Sequence, residues 1–467
     1  MKKYRLSLIV LSAVMLLSLV MVGPARTAGL TEISPAAFYP WRTAFFGDST
    51  VLKNPSTAFS GHYDIPIIST TSFETTIQVG MPAADGVGNC GPVVNLVRTW
   101  DCTNYDFPIT TDLVDLSVIS PVAVHTTQDD FKTGWTIVDK VPLSVILFEE
   151  IWTPTGGRLS TAKTPLLALT TESPFYGFNV IGSTSLDFDS SGLPHAAVIL
   201  NKTATGEEHL VYIHPGTDNG SCGFGLNFQC EIIAIREDLG AAPVLHLTAD
   251  DKPMITYYDQ SSDKIMVAYD EDSTGLTANC GPGGDTWYCL EIIAGTLDPS
   301  GNGITYGDKP SIAIGNSAKF IVYTVSQVST FNEINKSLHL AEYVGSGGNC
   351  GEERWECGFV QSIDTSVELI NTAFSIQVDP LDYPVIAFSY QPPSSPEQCM
   401  DVTYPAERAG GNPGTWRRDF ITCTDPIFDE FALSDSGLGF IGYVDKTEKN
   451  VMLAIQDYLL YLPAIVR

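Results

Sequence analysis

Short apolar stretches alternate with turns rich in Asp, Ser and Gly along most of the chain. The clearest copy runs from Leu186 to Val198, where an apolar strand ends in Asp-Phe-Asp-Ser-Ser-Gly and Pro194 opens a second apolar strand. Alternation of apolar and polar positions over about four to eight residues predicts half-buried strands, and a turn of this kind predicts an antiparallel pair. We name these two strands A and B.

The A–B pattern recurs, and each copy is followed by a third apolar strand, C, and in most copies by a strand D that begins with Trp or contains Cys. Strand B opens at Pro66, Pro194, Pro253, Phe320, Pro384 and Gly439. The openers lie 55 to 67 residues apart, except for a gap of 128 residues between Pro66 and Pro194. That gap therefore holds two units, with a poorly patterned one at about residues 108–178. Seven units are predicted, and six units plus an insertion are the alternative.

Four-stranded antiparallel units of this length favour an all-β fold, a seven-bladed β-propeller, because a radial arrangement protects the edges of the sheets. The last unit has strands A, B and C within residues 431–456 but no Trp strand after them. At the other end of the chain, Trp41 to Phe46 resembles strand D of the preceding unit, Trp416 to Ile421. We expect this N-terminal strand to complete the last blade and close the ring.

The ten cysteines fall into five local pairs, most of them beside a tryptophan. Three pairs share the pattern Asn-Cys-Gly followed by Trp-x-Cys or Trp-Tyr-Cys, and zinc spacing of the Cys-x-x-Cys type does not occur. Disulfides within such short loops contribute roughly 2.5 to 3.5 kcal/mol each and indicate an oxidising compartment. The predicted pairs are Cys90 with Cys102, Cys222 with Cys230, Cys280 with Cys289, Cys350 with Cys357, and Cys399 with Cys423.

The N-terminus supports export. Three cations precede an apolar stretch from Leu6 to Val22, and small residues follow, which predicts a signal peptide over residues 1–28. An uncleaved anchor is the alternative, because the stretch is just long enough to span a bilayer, and only then is a membrane expected as a partner. We expect the protein to be secreted or held at the cell surface.

The remaining chain divides into one propeller domain over residues 29–457 and an apolar C-terminal tail over residues 458–467. The tail has two interpretations, an export or surface-attachment tag and an extra edge strand. It is too short to span a membrane.

The chain carries a formal charge of -29, which becomes about -33 when the four cations of the signal peptide are removed. This charge argues against nucleic acid as a partner, because phosphate binding needs a basic face. An acidic surface keeps an extracellular protein soluble, and we expect a monomer.

The sequence pattern of the repeats resembles that of secreted propellers called BNR-like or sialidase-like. In those proteins each unit has an aliphatic run, then Asp-Ser-x-Gly-x-Pro, then an aromatic-rich strand. The resemblance covers about residues 40–456 and implies fold more than function. A sialidase of that family needs several arginines around a substrate carboxylate. Here the arginines at 42, 98, 354, 417 and 418 fall in or beside outer D strands. Sialidase activity is therefore not expected.

The turn Asp187 to Gly192 places oxygen ligands at Asp187, Asp189 and Ser191, a spacing that a tight calcium loop uses. The alternative is that Asp, Ser and Gly simply form the A–B turn. Calcium is the one candidate cofactor.

The B–C and D–A loops share one face of the predicted ring, and aromatic residues mark the ends of its B strands. Because tyrosine stacks on sugar rings, we predict a ligand site at the mouth of the channel from Tyr257, Tyr258, Asp259, Tyr390 and Gln391. Glu149 and Glu150, beside Phe148 and Trp152, are a candidate carboxylate pair for glycosidase chemistry, with surface acids as the alternative.

These observations favour a binding or scaffold module for carbohydrate or another extracellular polymer, or for a protein ligand. An extracellular hydrolase or lyase built on the same ring is the alternative, and a structural surface protein is a third hypothesis. An enzyme needs titratable groups that converge on the channel, whereas a binding module needs only aromatic and hydrogen-bonding groups.

Overall fold

The structure is a computed structural model, and all of its described residues belong to one compact unit, Ala37–Arg467. The predicted signal peptide and C-terminal tail lie outside the described residues. The described residues are 41–456 without 49–51, 61–62, 73–75, 84–85, 95–96, 107–113, 116–118, 141, 154–156, 217–219, 224, 241, 271–276, 283–285, 297–302, 307–308, 329–333, 365–372, 393–396 and 429.

Seven antiparallel sheets follow one another along the chain as blades 1 to 7, each with strands A to D in order. Blade 1 has Leu52–Phe59, Pro66–Ser72, Thr76–Pro82 and Val97–Asp106, with Cys90–Val94 beyond strand D. Blade 2 has Ala123–Thr126 together with Val114–Asp115, then Phe131–Lys140, Leu143–Trp152 and Arg158–Ala168. Blade 3 has Phe178–Phe188, Pro194–Lys202, Glu208–Pro215 and Phe228–Arg236.

The remaining blades repeat this order. Blade 4 has Val244–Leu247, Pro253–Asp259, Lys264–Asp270 and Trp287–Ala294. Blade 5 has Gly303–Tyr306 together with Ser311–Ile314, then Lys319–Val328, Ile334–Tyr343 and Trp355–Asp364. Blade 6 has Phe374–Val378, Pro384–Tyr390, Cys399–Pro405 and Trp416–Thr422, with a 3-10 turn at Ala406–Ala409. Blade 7 has Pro426–Ile427 together with Phe431–Leu433, then Gly439–Asp445, Asn450–Gln456 and Trp41–Asp48.

The A strands of neighbouring blades contact one another around a closed ring, so they surround the axis and the D strands form the outside. This confirms the predicted seven-bladed β-propeller. The poorly patterned unit is blade 2, whose four strands lie within residues 114–168, and the alternative of six blades plus an insertion is therefore wrong. The A–B and C–D turns share one face, and the B–C and D–A connections share the other.

The predicted closure of the ring is confirmed. Strand Trp41–Asp48 pairs antiparallel with Asn450–Gln456, with Trp41 opposite Gln456. The Phe46 side chain is buried, and its ring lies 5.9 Å from the ring of Trp100 in blade 1. The first described strand of the chain thus joins the last blade to the first.

The core consists of apolar layers between adjacent blades, because both faces of each sheet are covered. In these layers, the tryptophan of strand D packs towards the preceding blade. Trp287 of blade 4 lies 5.3 Å from the ring of Tyr212 in blade 3, and Trp100 of blade 1 stacks 5.9 Å from Phe440 in blade 7. The recurring tryptophan is therefore an inter-blade contact.

All five predicted disulfides are formed. Their placement differs from the simple C-to-D link that the spacing suggests. In the first four, the C–D connection folds back along the outer edge of strand D, and its cysteine bonds to the cysteine of that strand. Cys90, Cys280 and Cys350 lie opposite Trp100, Trp287 and Trp355. The pair Cys399–Cys423 joins the start of strand C to the residue after strand D.

The asparagine before each of three folded-back cysteines completes this arrangement. The Asn349 amide donates to the Cys357 carbonyl at 2.9 Å and accepts from the Cys357 N–H at 2.7 Å, and Asn89 and Asn279 form the same pair of bonds. Ser221 replaces asparagine in blade 3 and bonds both backbone groups of Cys230. We call each folded-back segment an edge cap, because it occupies hydrogen-bonding groups of an outer strand that would otherwise face solvent.

Candidate binding site in the central channel

A cavity of about 440 Å³ lies in the central channel where the A strands begin. This volume is within the range of small-ligand pockets, roughly 300 to 1,000 Å³. Every blade contributes to its wall, which includes Ser56, Val122, Ser185, His246, Lys309, Phe374 and Glu430 from blades 1 to 7 in turn. We call it the central cavity. Among the described residues that line it, none is an arginine.

Side chains of one A strand hydrogen-bond to the backbone of the next and hold this wall together. Ser185 Oγ accepts from the Leu245 N–H at 3.0 Å, and Asp187 Oδ2 accepts from the Leu247 N–H at 2.9 Å. Ser56 Oγ accepts from the Val122 N–H at 2.9 Å. Because these bonds satisfy backbone donors that face the channel, the wall is polar and fixed in position.

A histidine and a carboxylate meet at the deep end of the central cavity. His246 Nδ1 lies 3.6 Å from Asp187 Oδ2, which joins blade 4 to blade 3. Burial lowers the pKa of His246, but the hydrogen bond and charge of Asp187 and the charge of Glu430 outweigh burial, so the pKa lies above its ordinary value. Either form of the imidazole can donate a hydrogen bond, and the raised pKa favours the protonated form of His246.

The wall also carries charges of both signs and one aromatic ring. Glu430 Oε2 accepts a hydrogen bond from Ser56 Oγ at 3.1 Å, and Lys309 is exposed on the rim. Phe374 is partly buried and faces the cavity beside them. Together these residues offer donors, acceptors and an apolar surface within a single pocket.

His246, Lys309 and Glu430 were not among the residues predicted for this site. One signal was present: Asp187 and His246 occupy the same position of their units, one residue before the end of strand A. Alignment of the seven units by strand B would have placed both on the channel. The A strands are too short for their alternation to show which side chains face the axis.

A second cavity of about 530 Å³ lies at the opposite end of the channel, at the A–B turns of blades 4 to 7. The last residues of four A strands, Leu247, Ile314, Val378 and Leu433, line it together with turn residues. His246 lines the central cavity, and the next residue, Leu247, lines the second cavity.

Tyr257, Tyr258 and Asp259 do not form the aromatic surface that the sequence predicts. Tyr257 is fully buried in the layer between blades 3 and 4, and Tyr258 is buried between blades 4 and 5. Asp259 is buried and accepts a hydrogen bond from Arg236 Nε at 2.8 Å. The side chains at the end of this B strand point into the inter-blade layers, so the rings of Tyr257 and Tyr258 cannot stack on a ligand in the channel.

Tyr390 and Gln391 also lie away from the central cavity. The guanidinium of Arg418 covers the Tyr390 ring, 4.0 Å from its centre, and pairs with the buried carboxylate of Asp401. Burial raises the pKa of Asp401, and the charge of Arg418 lowers it in part. The Gln391 N–H donates to the Ile363 carbonyl of blade 5. This backbone hydrogen bond joins blade 6 to blade 5.

Arg418→Leu should therefore destabilise the protein by about 2 kcal/mol, because it leaves the Asp401 carboxylate buried beside an apolar side chain. The value is below that of a fully buried pair, since 31% of the Arg418 side chain is exposed. Urea unfolding at neutral pH measures the change. The neighbouring exposed Arg417→Leu is the matched control and should stay within about 0.5 kcal/mol of the wild type; equal losses in both variants would contradict this role of Arg418.

The proposed calcium ligands do not converge on one point. Asp189 Oδ1 accepts from the N–H groups of Ser191 and Leu193 at 2.9 and 2.8 Å. Asp187 instead bonds to Leu247 and His246 of blade 4. The structure therefore favours the turn interpretation over a calcium loop at Asp187, Asp189 and Ser191. Within the described part of the chain, no group of three His, Cys, Asp or Glu could hold a metal ion.

Glu150 lies between blades 1 and 2, away from both cavities, so the pair Glu149 and Glu150 is neither a channel site nor wholly a surface feature. Its side chain is 0% exposed, and neither carboxylate oxygen has a hydrogen-bond partner. Burial raises the pKa of Glu150 to about 8, although Arg158, 3.9 Å away, lowers it in part. Glu149 lies 3.6 Å from Lys132.

The described residues contain no helix that is long and apolar enough to span a membrane.

No protein-family model and no curated protein sequence matches this chain. Solved structures with a similar fold include a Hadza microbial sialidase, at 8% identity and a TM-score of 0.42, which covers 88% of this chain. A polysaccharide lyase shares 10% identity over 72% of this chain, with a TM-score of 0.39. A sialidase of Trypanosoma rangeli in complex with sialic acid shares 11% identity over 78% of this chain, with a TM-score of 0.38.

The chain spans 66% of the length of the microbial sialidase, 89% of the lyase and 57% of the trypanosomal sialidase. Identities and TM-scores this low carry no information about the ligand or reaction of this chain.

Proposed function

We propose that this protein is an extracellular propeller that binds a glycan in the central cavity. The observation that carries the proposal is the composition of the wall, which combines serine hydroxyls with His246, Lys309, Glu430 and Phe374. Sugars present hydroxyl groups that both donate and accept, together with an apolar face of C–H groups. A pocket with converging polar groups of both kinds and one aromatic ring matches that chemistry.

The redox state of the chain supports the extracellular part of this proposal. Ten cysteines form five disulfides, and the described residues contain no free cysteine. Disulfides persist in oxidising compartments and are rare in the cytosol. The predicted signal peptide over residues 1–28 agrees with this assignment.

A glycan array followed by calorimetry of the strongest hit tests the proposal. We expect Lys309→Met and Glu430→Gln each to weaken binding about tenfold, corresponding to about 1.4 kcal/mol, because each removes a group that faces the ligand. Glu430→Gln keeps an acceptor for Ser56, which favours an intact fold. Asn316→Ala, at the opposite cavity, is the matched control and should bind as the wild type does. Tight glycan binding that neither cavity variant changes would show that the glycan binds outside the central cavity. Absence of binding to any glycan would favour the hypothesis of a structural surface protein.

A hydrolase or lyase acting in the same cavity is the second candidate function. The observation that favours it is His246, which a carboxylate holds at Nδ1 while a second carboxylate, Glu430, acts on its charge. Such an arrangement suits general acid–base chemistry. Mass spectrometry of the bound glycan after prolonged incubation tests it: shortened products that disappear in His246→Asn would establish catalysis, and an unchanged glycan would leave binding alone.

A further inference from the structure

The outer edge of blade 2 differs from the outer edges of blades 1, 3, 4 and 5. Those four blades carry edge caps, whereas the five residues between Trp152 and Arg158 return directly into strand D. Strand Arg158–Ala168 is the last strand of its sheet and, at 11 residues, the longest of the D strands described. Its outer side therefore presents backbone groups over a long stretch, which is the geometry that an added strand needs.

The first part of this strand is exposed to solvent. Each residue from Arg158 to Lys163 is exposed, and 59% of the Leu159 side chain is exposed. The far end is covered, because the Ala168 N–H donates to the Cys222 carbonyl of blade 3 at 3.1 Å. Strands D of blades 6 and 7 also lack edge caps among the described residues, but they are shorter, at 7 and 8 residues. We call residues 158–164 the open edge.

The open edge is basic although the chain as a whole is strongly acidic. The register with strand C places Arg158 opposite Trp152 and Lys163 opposite Phe148, so both cations lie on the side of blade 1. The carboxyl group near Arg158 is that of Glu150, whose raised pKa keeps it mostly neutral at pH 7. The Lys163 ammonium lies over the Phe148 ring at 6.0 Å. The two positive charges are therefore not cancelled by Glu150.

These charges decide which partner the open edge suits. Antiparallel pairing with a second copy of the chain, in the register that places Ser160 opposite Thr161, would bring Arg158 opposite Lys163, and like charges opposite each other destabilise a sheet. Two copies of the mature chain, each with a charge of about -33, also repel each other, whereas a short peptide segment adds only a few negative charges. An extended segment with carboxylate side chains would instead place opposite charges beside both cations.

We propose that the open edge binds an extended acidic peptide segment of another protein, which adds a strand to blade 2. Backbone hydrogen bonds supply the affinity, and pairing of carboxylates with Arg158 and Lys163 supplies the selectivity. This site is separate from the central cavity and from the proposed glycan function.

The test uses the full mature chain and short peptides that alternate glutamate with threonine, glutamine with threonine, or lysine with threonine. We expect the glutamate peptide to bind with an affinity at least about tenfold above that of the other two, and to slow hydrogen exchange of the amides in residues 158–164. Lys163→Glu and Arg158→Gln should each lower that affinity, and high salt should lower it as well. Lys446→Glu, an exposed lysine in blade 7, is the matched control and should leave binding unchanged.

Four outcomes would overturn the proposal. The first is equal affinity for all three peptides, and the second is unchanged binding in Lys163→Glu when its melting temperature equals that of the wild type. The third is protection from hydrogen exchange at amides outside residues 158–164. The fourth is a concentration-dependent dimer in which residues 158–164 are protected without peptide. The last result would identify a second copy as the occupant. Loss of glycan binding does not enter the test, because the central cavity contains none of these residues.

Discussion

Deleting residues 35–48 should abolish cooperative unfolding of the propeller and lower its melting temperature sharply. The deletion removes strand D of blade 7, which pairs with Asn450–Gln456, and it removes Phe46 and Trp41 from two inter-blade layers. Truncating one buried Phe or Trp costs about 3 to 5 kcal/mol. The sum approaches the total stability of a typical domain, about 5 to 15 kcal/mol. Calorimetry of the purified chain measures the transition.

A synthetic peptide with the sequence of the deleted strand provides the control for that experiment. If Trp41–Asp48 closes the ring, the peptide should restore part of the melting temperature of the deletion variant, and a scrambled peptide should not. An unchanged melt after the deletion would contradict closure by this strand. A deletion variant that aggregates still permits the test, because the peptide can be added during refolding.

Glu150→Gln should stabilise the protein at pH 8 by several kcal/mol and change its stability little at pH 5. The folded state keeps the Glu150 proton up to a pKa of about 8, whereas the ordinary value is 4.5. Between these values the folded state binds more protons than the unfolded state, so stability falls as pH rises, by about 1.4 kcal/mol per pH unit. The contribution is complete below about pH 4.5 and lost by about pH 8, on the order of 5 kcal/mol. Glutamine does not titrate, so this dependence disappears.

Urea unfolding at a series of pH values measures this difference, with Glu149→Gln as the matched control. Glu149 precedes Glu150 in strand C but lies near Lys132 with 18% of its side chain exposed. The control should follow the wild type, apart from a small loss from the ion pair, about 1 kcal/mol or less. Parallel pH curves for the wild type and Glu150→Gln would show that Glu150 is not held neutral in the folded protein.

The architecture could be predicted because each of its determinants is local in sequence. Pro194, Pro253 and Pro384 begin strand B, as the turn pattern predicts. The cysteine pairs close short loops, and the Trp strand at residue 41 supplies the strand that the last unit lacks. Blade 2 was predicted mainly from spacing, since no cysteine lies in its strands and no proline opens its strand B, Phe131–Lys140. The edge caps were not predicted, because the motif Asn-Cys-Gly does not show that the asparagine side chain hydrogen-bonds to the backbone of strand D.

The candidate site could not be predicted in the same way, because it is assembled from single residues of seven separate units. His246 and Asp187 are far apart in sequence and become neighbours only when blades 3 and 4 stand side by side. Tyr257 and Tyr390 mark strand ends, but their rings enter inter-blade layers. The position of a residue at the end of a strand shows on which face of the propeller it lies, but it does not show whether its side chain points to the axis. Asp187 was predicted as a calcium ligand, whereas in the structure its carboxylate contacts His246 and accepts a hydrogen bond from the Leu247 N–H.

The central claim is that the central cavity binds a glycan. A crystal structure of the mature chain with the strongest array hit tests it most directly. The account predicts a sugar residue in the cavity where the A strands begin, in contact with His246, Lys309 and Glu430, with a C–H face against Phe374. A glycan bound on the outer strands or at the A–B turns, with the central cavity unoccupied, would contradict it.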